Sequence, residues 1–124
     1  MKVSLSNMEW KLMNRLWSSA PMTLMQLTRA LEEETGWTKH TVITMLTRLE
    51  NKEAVRWEQA GRTRHYSPVI SREEARREET AGFLDRVYGG RLGLMVNALV
   101  EDHALTKEDV DELREILRRA GEKE

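Results

Sequence analysis

The sequence contains no cysteine, which excludes disulfides, thiolate metal sites and cysteine nucleophiles together. It has only 2 prolines, Pro21 and Pro68, so helix-breaking positions are few. Charge of one sign is also lacking. There are 20 Lys/Arg against 21 Asp/Glu, and the net of −1 taken alone argues against a nucleic-acid partner. Long apolar runs are missing too. The longest stretch without a charged residue, Leu16 to Thr28, contains Ser18, Ser19, Pro21 and Gln26, whereas a membrane span needs about 20 mostly apolar residues. The start of the chain shows no apolar stretch of signal-peptide length. These absences lead us to expect a cytoplasmic protein without membrane insertion.

What is present is charge in quantity and a modest apolar share. The 124 residues are 33% charged and 40% hydrophobic, against about 25% charged in typical domains. A core this thin suggests that some apolar surface is buried between chains. The charge is also uneven. Residues 1–70 hold 10 Lys/Arg and 7 Asp/Glu, a net of +3, and residues 71–124 hold 10 and 14, a net of −4. A basic part beside an acidic companion is the pattern of a binding region and a partner region.

Local signals divide the chain into elements. Ser6 with Glu9 three residues later is a capping box, and Trp10, Met13 and Trp17, with Leu12 and Leu16 beside them, make a broad apolar helix face that ends before Pro21. Thr23 and Gln26 open a second helix by the same device; Leu24, Leu27 and Leu31 line it, and Gly36 closes it. Thr38 caps a third, with Val42, Leu46 and Leu49 stacked on one side and Met45 flanking them. The period then changes from helical to two over Val55–Gln59 and Thr63–Ser67, with Ala60-Gly61-Arg62 as a turn, which predicts a β-hairpin. Three helices and a hairpin in this order predict a winged helix-turn-helix over residues 1–70. Residues 71–124 read as helices only, opening at Ser71/Glu74 and at Thr106/Asp109 and broken at Gly89-Gly90. The fold class expected is therefore mainly α, a winged helix-turn-helix followed by a small helical dimerisation region.

Nothing in the sequence supports catalysis. His40, His65 and His103 lie far apart, and neither HExxH, GxSxG nor a phosphate-cradling glycine loop occurs. No catalytic residue, metal site or cofactor is expected. The acidic clusters Glu32–Glu34 and Asp109–Glu112 read as solvated helix faces.

The third helix is the informative element. Its outer side carries His40, Ile43, Thr44, Thr47 and Asn51, small or neutral where an ordinary exposed face is rich in Glu and Lys. Lys39 and His40 stand in the first turn, where positive charge opposes the helix dipole by a few tenths to about 1 kcal/mol; a phosphate held there would reverse the sign. Thr41, Ile43, Thr44 and Arg48 are of types that read base edges, arginine to guanine and a methyl to thymine. Arg62 and Arg64 flank the hairpin tip, within reach of a DNA backbone. Tyr66 either adds a contact or packs on the third helix. The four tryptophans are a stacking platform for single strands only if they lie outside the core, and the spacing of Trp10 and Trp17 places that pair within it. Trp37, just before the cap, suits a hydrophobic staple, and Trp57 alternates with Val55 toward the interior.

Leu5-Ser6-Asn7-Met8-Glu9-Trp10, Leu16-Trp17, Gly36-Trp37-Thr38-Lys39-His40-Thr41-Val42, Leu46-Thr47-Arg48-Leu49, Gly61-Arg62 and Tyr66-Ser67-Pro68 resemble, in order, the penicillinase-repressor (BlaI/MecI) family. The likeness reaches the tail in Leu105-Thr106 and Asp111–Leu117. It implies a dimeric repressor whose N-terminal winged helix binds a palindromic operator in double-stranded DNA. Lys39, His40, Thr41, Ile43, Thr44 and Arg48 match the family's recognition helix, and Arg62 its wing arginine. In several members a membrane sensor for β-lactams triggers cleavage of the repressor, so an upstream membrane sensor or protease is an implied partner. The family's Asn-Phe cleavage pair aligns with Ala98-Leu99, a departure that puts this route in question. The absence of cysteine removes the copper switch of cysteine-tailed relatives. Glu53 stands where relatives often have glycine.

The expected interface between monomers is Phe83, Leu92, Met95, Leu99, Val110, Leu113 and Leu117, apolar faces that three tail helices are too few to hide. Two other classes stay open at this point. One is a winged-helix module that docks on protein, and the other is a repressor released by a small ligand.

Overall fold

A computed structural model describes residues 3–122. The element order is α1 (Asn7–Ser19), α2 (Leu24–Thr35), α3 (Lys39–Asn51), β1 (Val55–Ala60), β2 (Thr63–Pro68), α4 (Arg72–Tyr88), α5 (Leu92–Glu101) and α6 (Lys107–Glu122). This is the expected winged helix-turn-helix with a helical continuation.

The helix boundaries follow local chemistry. Both capping boxes form, with Ser6 and Glu9 bonding reciprocally at α1 and Thr23 and Gln26 at α2. Gly36 ends α2 at φ 68, a left-handed position that costs glycine little. The Thr38 hydroxyl accepts from Thr41 N–H at 3.3 Å and caps α3. At the other end of α3, Glu53 adopts φ 62, as foreshadowed by its place in a glycine position. Ala54 N–H then bonds Leu49 O at 2.9 Å and closes the helix.

The core is built from one side of each element. Leu12, Met13 and Leu16 of α1, Leu27 and Leu31 of α2, and Val42, Met45, Leu46 and Leu49 of α3 are buried together with Ala54, Val55 and Tyr66 of the wing. Burial of such side chains contributes about 1.5–3 kcal/mol each, which is why α3 can present only its opposite side to a partner. The wing is a two-stranded antiparallel ribbon in the register Val55↔Pro68, Trp57↔Tyr66 and Gln59↔Arg64. An isolated two-stranded ribbon is marginal in water, and a bridge between Met22 and Tyr66, with N–H···O bonds of 3.0 and 2.8 Å, adds a third strand position to it. Tyr66 is therefore a core residue.

The tryptophans belong to this packing. Trp10 and Trp17 are half-buried with ring centroids 5.6 Å apart, and Trp17 Nε1 donates to Ile70 O at 2.9 Å. Arg72 lies over the Trp17 ring at 5.6 Å and donates to Asn14 O and Ser18 Oγ, which fastens the first turn of α4 to α1. Val3 N–H donates to Glu78 at 2.8 Å, and Ala75 is buried. The chain accordingly divides into compact units within α4, between Thr80 and Ala81, rather than at the 70/71 junction read from the sequence. The start of α4 belongs to the winged-helix unit because its apolar and cationic residues face α1.

The second unit contains the end of α4, then α5 and α6. Gly89 and Gly90, at φ 59 and 83, separate α4 from α5. Thr106 and Asp109 bond reciprocally at the start of α6. Neither α5 nor α6 has a buried residue. No helix among the described residues is long and apolar enough to cross a membrane.

One ion pair lies beneath the surface of the first unit. Lys52 Nζ, just past α3, meets Glu9 Oε1 at 2.6 Å and also donates to Ser4 O at 2.8 Å. Glu9 is 2% exposed, whereas Lys52 is 39% exposed. Burial pushes the Glu9 carboxyl up, but Lys52 and the Ser6 N–H and hydroxyl more than offset this, so its pKa lies below the ordinary value. A lowered carboxyl contributes stability above its unfolded pKa and loses it as pH falls through the folded one. Lys52→Met should therefore destabilise the chain at neutral pH, by about 1–3 kcal/mol given the exposure of Lys52. In urea denaturation series the gap to the unaltered protein should narrow as the pH falls below the carboxylate range. A gap independent of pH would show that Lys52 acts through packing of its stem alone.

Candidate nucleic-acid interface

The outer side of α3 carries no carboxylate until its last turn. Lys39, His40, Ile43, Thr44, Thr47 and Arg48 are exposed, and Ile43 is 41% exposed despite its size. Thr41 departs from expectation. It is half-buried, and its hydroxyl lies 3.3 Å from that of Thr38, so it serves the cap of the helix first. The hydroxyls of Thr44 and Thr47 donate to His40 O and Ile43 O at 3.0 and 2.9 Å. Their protons are spent within the helix. Each threonine therefore offers a partner its methyl and an acceptor lone pair, the surface suited to a thymine methyl.

The wing stands beside this face. Gly61 takes φ 64 in the turn, and exposed Arg62 follows it at the tip. Arg64 is also exposed but is not a free tip residue. Its guanidinium lies 4.0 Å from the centroid of the Trp57 ring. Trp57 is only half-buried, and its indole N–H donates to Glu50 Oε1 on α3 at 2.8 Å. The register explains the stack. Trp57, Gln59, Arg64 and Tyr66 share one side of the ribbon, the side that turns toward α3.

Between the start of α2, the start of α3 and the wing runs a groove of about 460 Å³, lined among others by Thr23, Met25, Lys39, Ile43, Arg62 and Arg64. The structure thus brings four of the sequence-selected residues to one concave surface. The contributions of Thr23, Leu24, Met25 and Gln59 were missed. Thr23 was legible as a cap, but its place at the groove follows from the angle between α2 and α3.

Among the described residues, Lys39, Arg48, Arg62 and Arg64 make no ion pair, whereas Lys52 pairs with Glu9 and Arg118 with Glu115 and Glu122. Most other cations of the described residues are unpaired as well; what sets this surface apart is that Lys39, Arg62 and Arg64 line one groove, with Arg48 further along α3. His40 and His65 do not form part of a metal cluster, and no such cluster occurs among the described residues.

A second candidate surface lies in the tail. Phe83, Leu92, Leu99 and Leu117 are 40, 55, 41 and 67% exposed, and Met95, Val110 and Leu113 are half-buried. Leu94, Val100 and Ile116, absent from the sequence-based set, are exposed as well. Large apolar surface of this extent is unusual on a monomer.

The model of the penicillinase repressor family matches residues 5–119. The chain belongs to the penicillinase-repressor family. It is a DNA-binding transcriptional repressor, and its family is not one of enzymes. Similar curated proteins include the penicillinase repressor of Bacillus licheniformis, 30% identical over 91% of this chain and 88% of that protein. The penicillinase repressor of Staphylococcus aureus is 25% identical over 98% and 97%. Among solved structures, the DNA-binding domain of the repressor BlaI superposes with a TM-score of 0.53 at 28% identity, covering 60% of this chain and 93% of that one. The monomeric form of Bacillus licheniformis BlaI in complex with the blaP half-operator gives 0.52 at 26% identity, covering 58% and 88%. MarR from E. coli, at 18% identity and a TM-score of 0.53, shares the fold over 94% of this chain.

Proposed function

We propose that this repressor binds a palindromic operator in double-stranded DNA as a homodimer and regulates a response to β-lactam antibiotics. The observation that carries the DNA contact is the grouping of cations on α3 and the wing, with Lys39, Arg62 and Arg64 lining one groove and Arg48 exposed further along α3. Cations left without carboxylates around a concave surface suit a polyanion, because binding then breaks no internal pair. A similar protein is known bound to a half-operator, which supports the same reading for this chain. The antibiotic response is carried over from the names of the relatives.

In this reading α3 lies in the major groove. Arg48 and Thr44 contact bases, with Ile43 and the Thr44 methyl against thymine. Lys39 at the start of the helix and Arg62 and Arg64 on the wing meet phosphate. His40 and Thr41 border these contacts. Phosphate also compensates the cationic Lys39 in the first turn of α3, which no acidic side chain there offsets.

The homodimer reading rests on the uncovered apolar residues of the tail. A second copy of Phe83, Leu92, Met95, Leu99, Val110, Leu113 and Leu117 covers them and sets two α3 helices about one helical turn, or a multiple, apart. Residues 1–70 supply the DNA-binding elements and residues 71–124 the dimerisation helices, although the first turns of α4 pack within the first compact unit, with the repressor acting in the cytoplasm. A membrane sensor or protease remains the partner implied by the family. Ala98-Leu99 lies within α5, so cleavage there requires that helix to open locally.

Footprinting the DNA upstream of the chain's own gene tests the class, and specific protection of an inverted repeat is expected. Binding measured on operator variants then separates two roles. Arg48→Ala should weaken binding unevenly, by about 1–3 kcal/mol at the base pair it contacts. Arg62→Ala should weaken all variants alike and reduce the salt slope by about one. A uniform loss for Arg48→Ala overturns its assignment to a base.

The dimer has its own test. Leu113→Glu places a charge in the proposed interface, and sedimentation should show a monomer with operator affinity reduced at least about tenfold. An unchanged dimer overturns the tail interface.

A further inference from the structure

We propose that Trp57 is a positioning residue for DNA binding, holding Arg64 on its ring face while its indole N–H locks the wing to α3 through Glu50. This rests on the reading in which Arg64 and α3 meet DNA, and it adds to that reading a part that neither the sequence nor the relatives indicated.

The geometry supplies both halves of the brace. The Arg64 guanidinium carbon sits 4.0 Å from the Trp57 centroid. Trp57 Nε1 donates to Glu50 Oε1 at 2.8 Å. Trp57 and Arg64 come from different strands, on the same side of the ribbon, and Glu50 comes from the last turn of α3. One side chain therefore connects the two elements that carry the cations proposed to meet DNA. Its position is itself fixed, since Trp57 packs against the core and stands opposite buried Tyr66.

A stacked arginine is still able to bind phosphate. Cation–π contact uses the flat face of the guanidinium, whereas its five N–H donors lie in the plane and point outward from the edge. Arg64 has no carboxylate or hydrogen-bond acceptor engaging those donors among the described residues. Stacking thus fixes the side chain without spending its donors, and the rotamer freedom otherwise lost on binding is lost on folding instead. Arg62, with no such support, meets DNA from the turn at the full cost of ordering. The bond to Glu50 has a second effect. It holds the carboxylate of α3's last turn against the indole, in a fixed place relative to the phosphates.

The experiment is a duplex-binding titration across salt concentrations, using the DNA upstream of the chain's own gene and the full-length protein. The variants are Trp57→Leu, Trp57→Phe, Arg64→Ala and the double variant Trp57→Leu/Arg64→Ala, each checked for its unfolding midpoint. Arg64→Ala should weaken binding about 5- to 10-fold and lower the salt slope by about one. Trp57→Leu should weaken it about 3- to 10-fold with the slope unchanged, because Arg64 still reaches phosphate but is no longer held. Trp57→Phe keeps a ring face and drops the N–H, and about a 2-fold loss is expected. The double variant should bind within about 2-fold of Arg64→Ala, the mark of two residues acting as one unit.

Losses that multiply in the double variant overturn the proposal, as does a folded Trp57→Leu that binds like the unaltered chain. If Trp57→Leu does not fold, Trp57→Met, which removes the ring face but keeps much of the bulk, carries the test with Arg64→Ala, and multiplying losses in that pair overturn it equally. Failure of the unaltered chain to bind duplex in a salt-dependent way defeats the DNA-binding reading itself, a result distinct from either of these.

Discussion

Packing of Val42, Met45, Leu46 and Leu49 into the core fixes one side of α3 and with it the direction of the other. The remaining first-unit features serve that placement. α1 and α2 give the apolar wall, the bridge between Met22 and Tyr66 brings the wing to the same wall, and Lys52 ties the end of α3 back to Glu9. Because close-packed cores resist sliding, the outer residues of α3 are held at defined positions relative to the wing. A surface that reads a rigid duplex needs that property more than it needs any single contact.

The electrostatic design is a matter of placement rather than of totals. A net charge of −1 describes a chain in which cations and anions are nearly equal in number but differently employed. On α6, Arg118 is committed to Glu115 and Glu122, and this pairing raises the Arg118 pKa and lowers that of Glu115. On α3 and the wing the cations have no such commitments. Grouping on adjacent elements, with Lys39, Arg62 and Arg64 around one groove, lets a basic surface exist in a chain whose sum is slightly acidic.

Local rules account for what was legible from the sequence. The caps at Ser6, Thr23, Thr38 and Thr106, the stop at Gly36 and the turn at Gly61 each depend on residues within a few positions, and each is found where the pattern placed it. The left-handed Glu53 was foreshadowed only through the resemblance, since relatives often carry glycine there. The hidden features join distant parts of the chain. The pair Lys52–Glu9 spans 43 positions and Trp17–Ile70 spans 53. Arg64 was read as a free wing cation because the sequence shows its charge but not the ring beneath it. The 70/71 boundary missed the first turns of α4 because Ser71 signals where a helix begins, not what it packs against. Of the interface, the residue types on α3 were legible from their contrast with an ordinary polar face, while the groove required the crossing of three elements.

The tail makes the complementary argument. Its apolar residues recur at helical spacing on α5 and α6, yet neither helix buries one, whereas every buried apolar residue lies between Leu5 and Ala75. A helix whose apolar stripe is at best half-buried gains little from folding, since most helical stability in proteins comes from tertiary packing. The ion pairs along α6 do not replace that packing, because exposed pairs each contribute only about 0.2–1 kcal/mol. In the proposed dimer the tail takes that packing from a second copy. This couples stability to assembly, and assembly to the spacing of the two α3 helices. Whatever weakens the tail then weakens operator binding without touching a single residue that meets DNA.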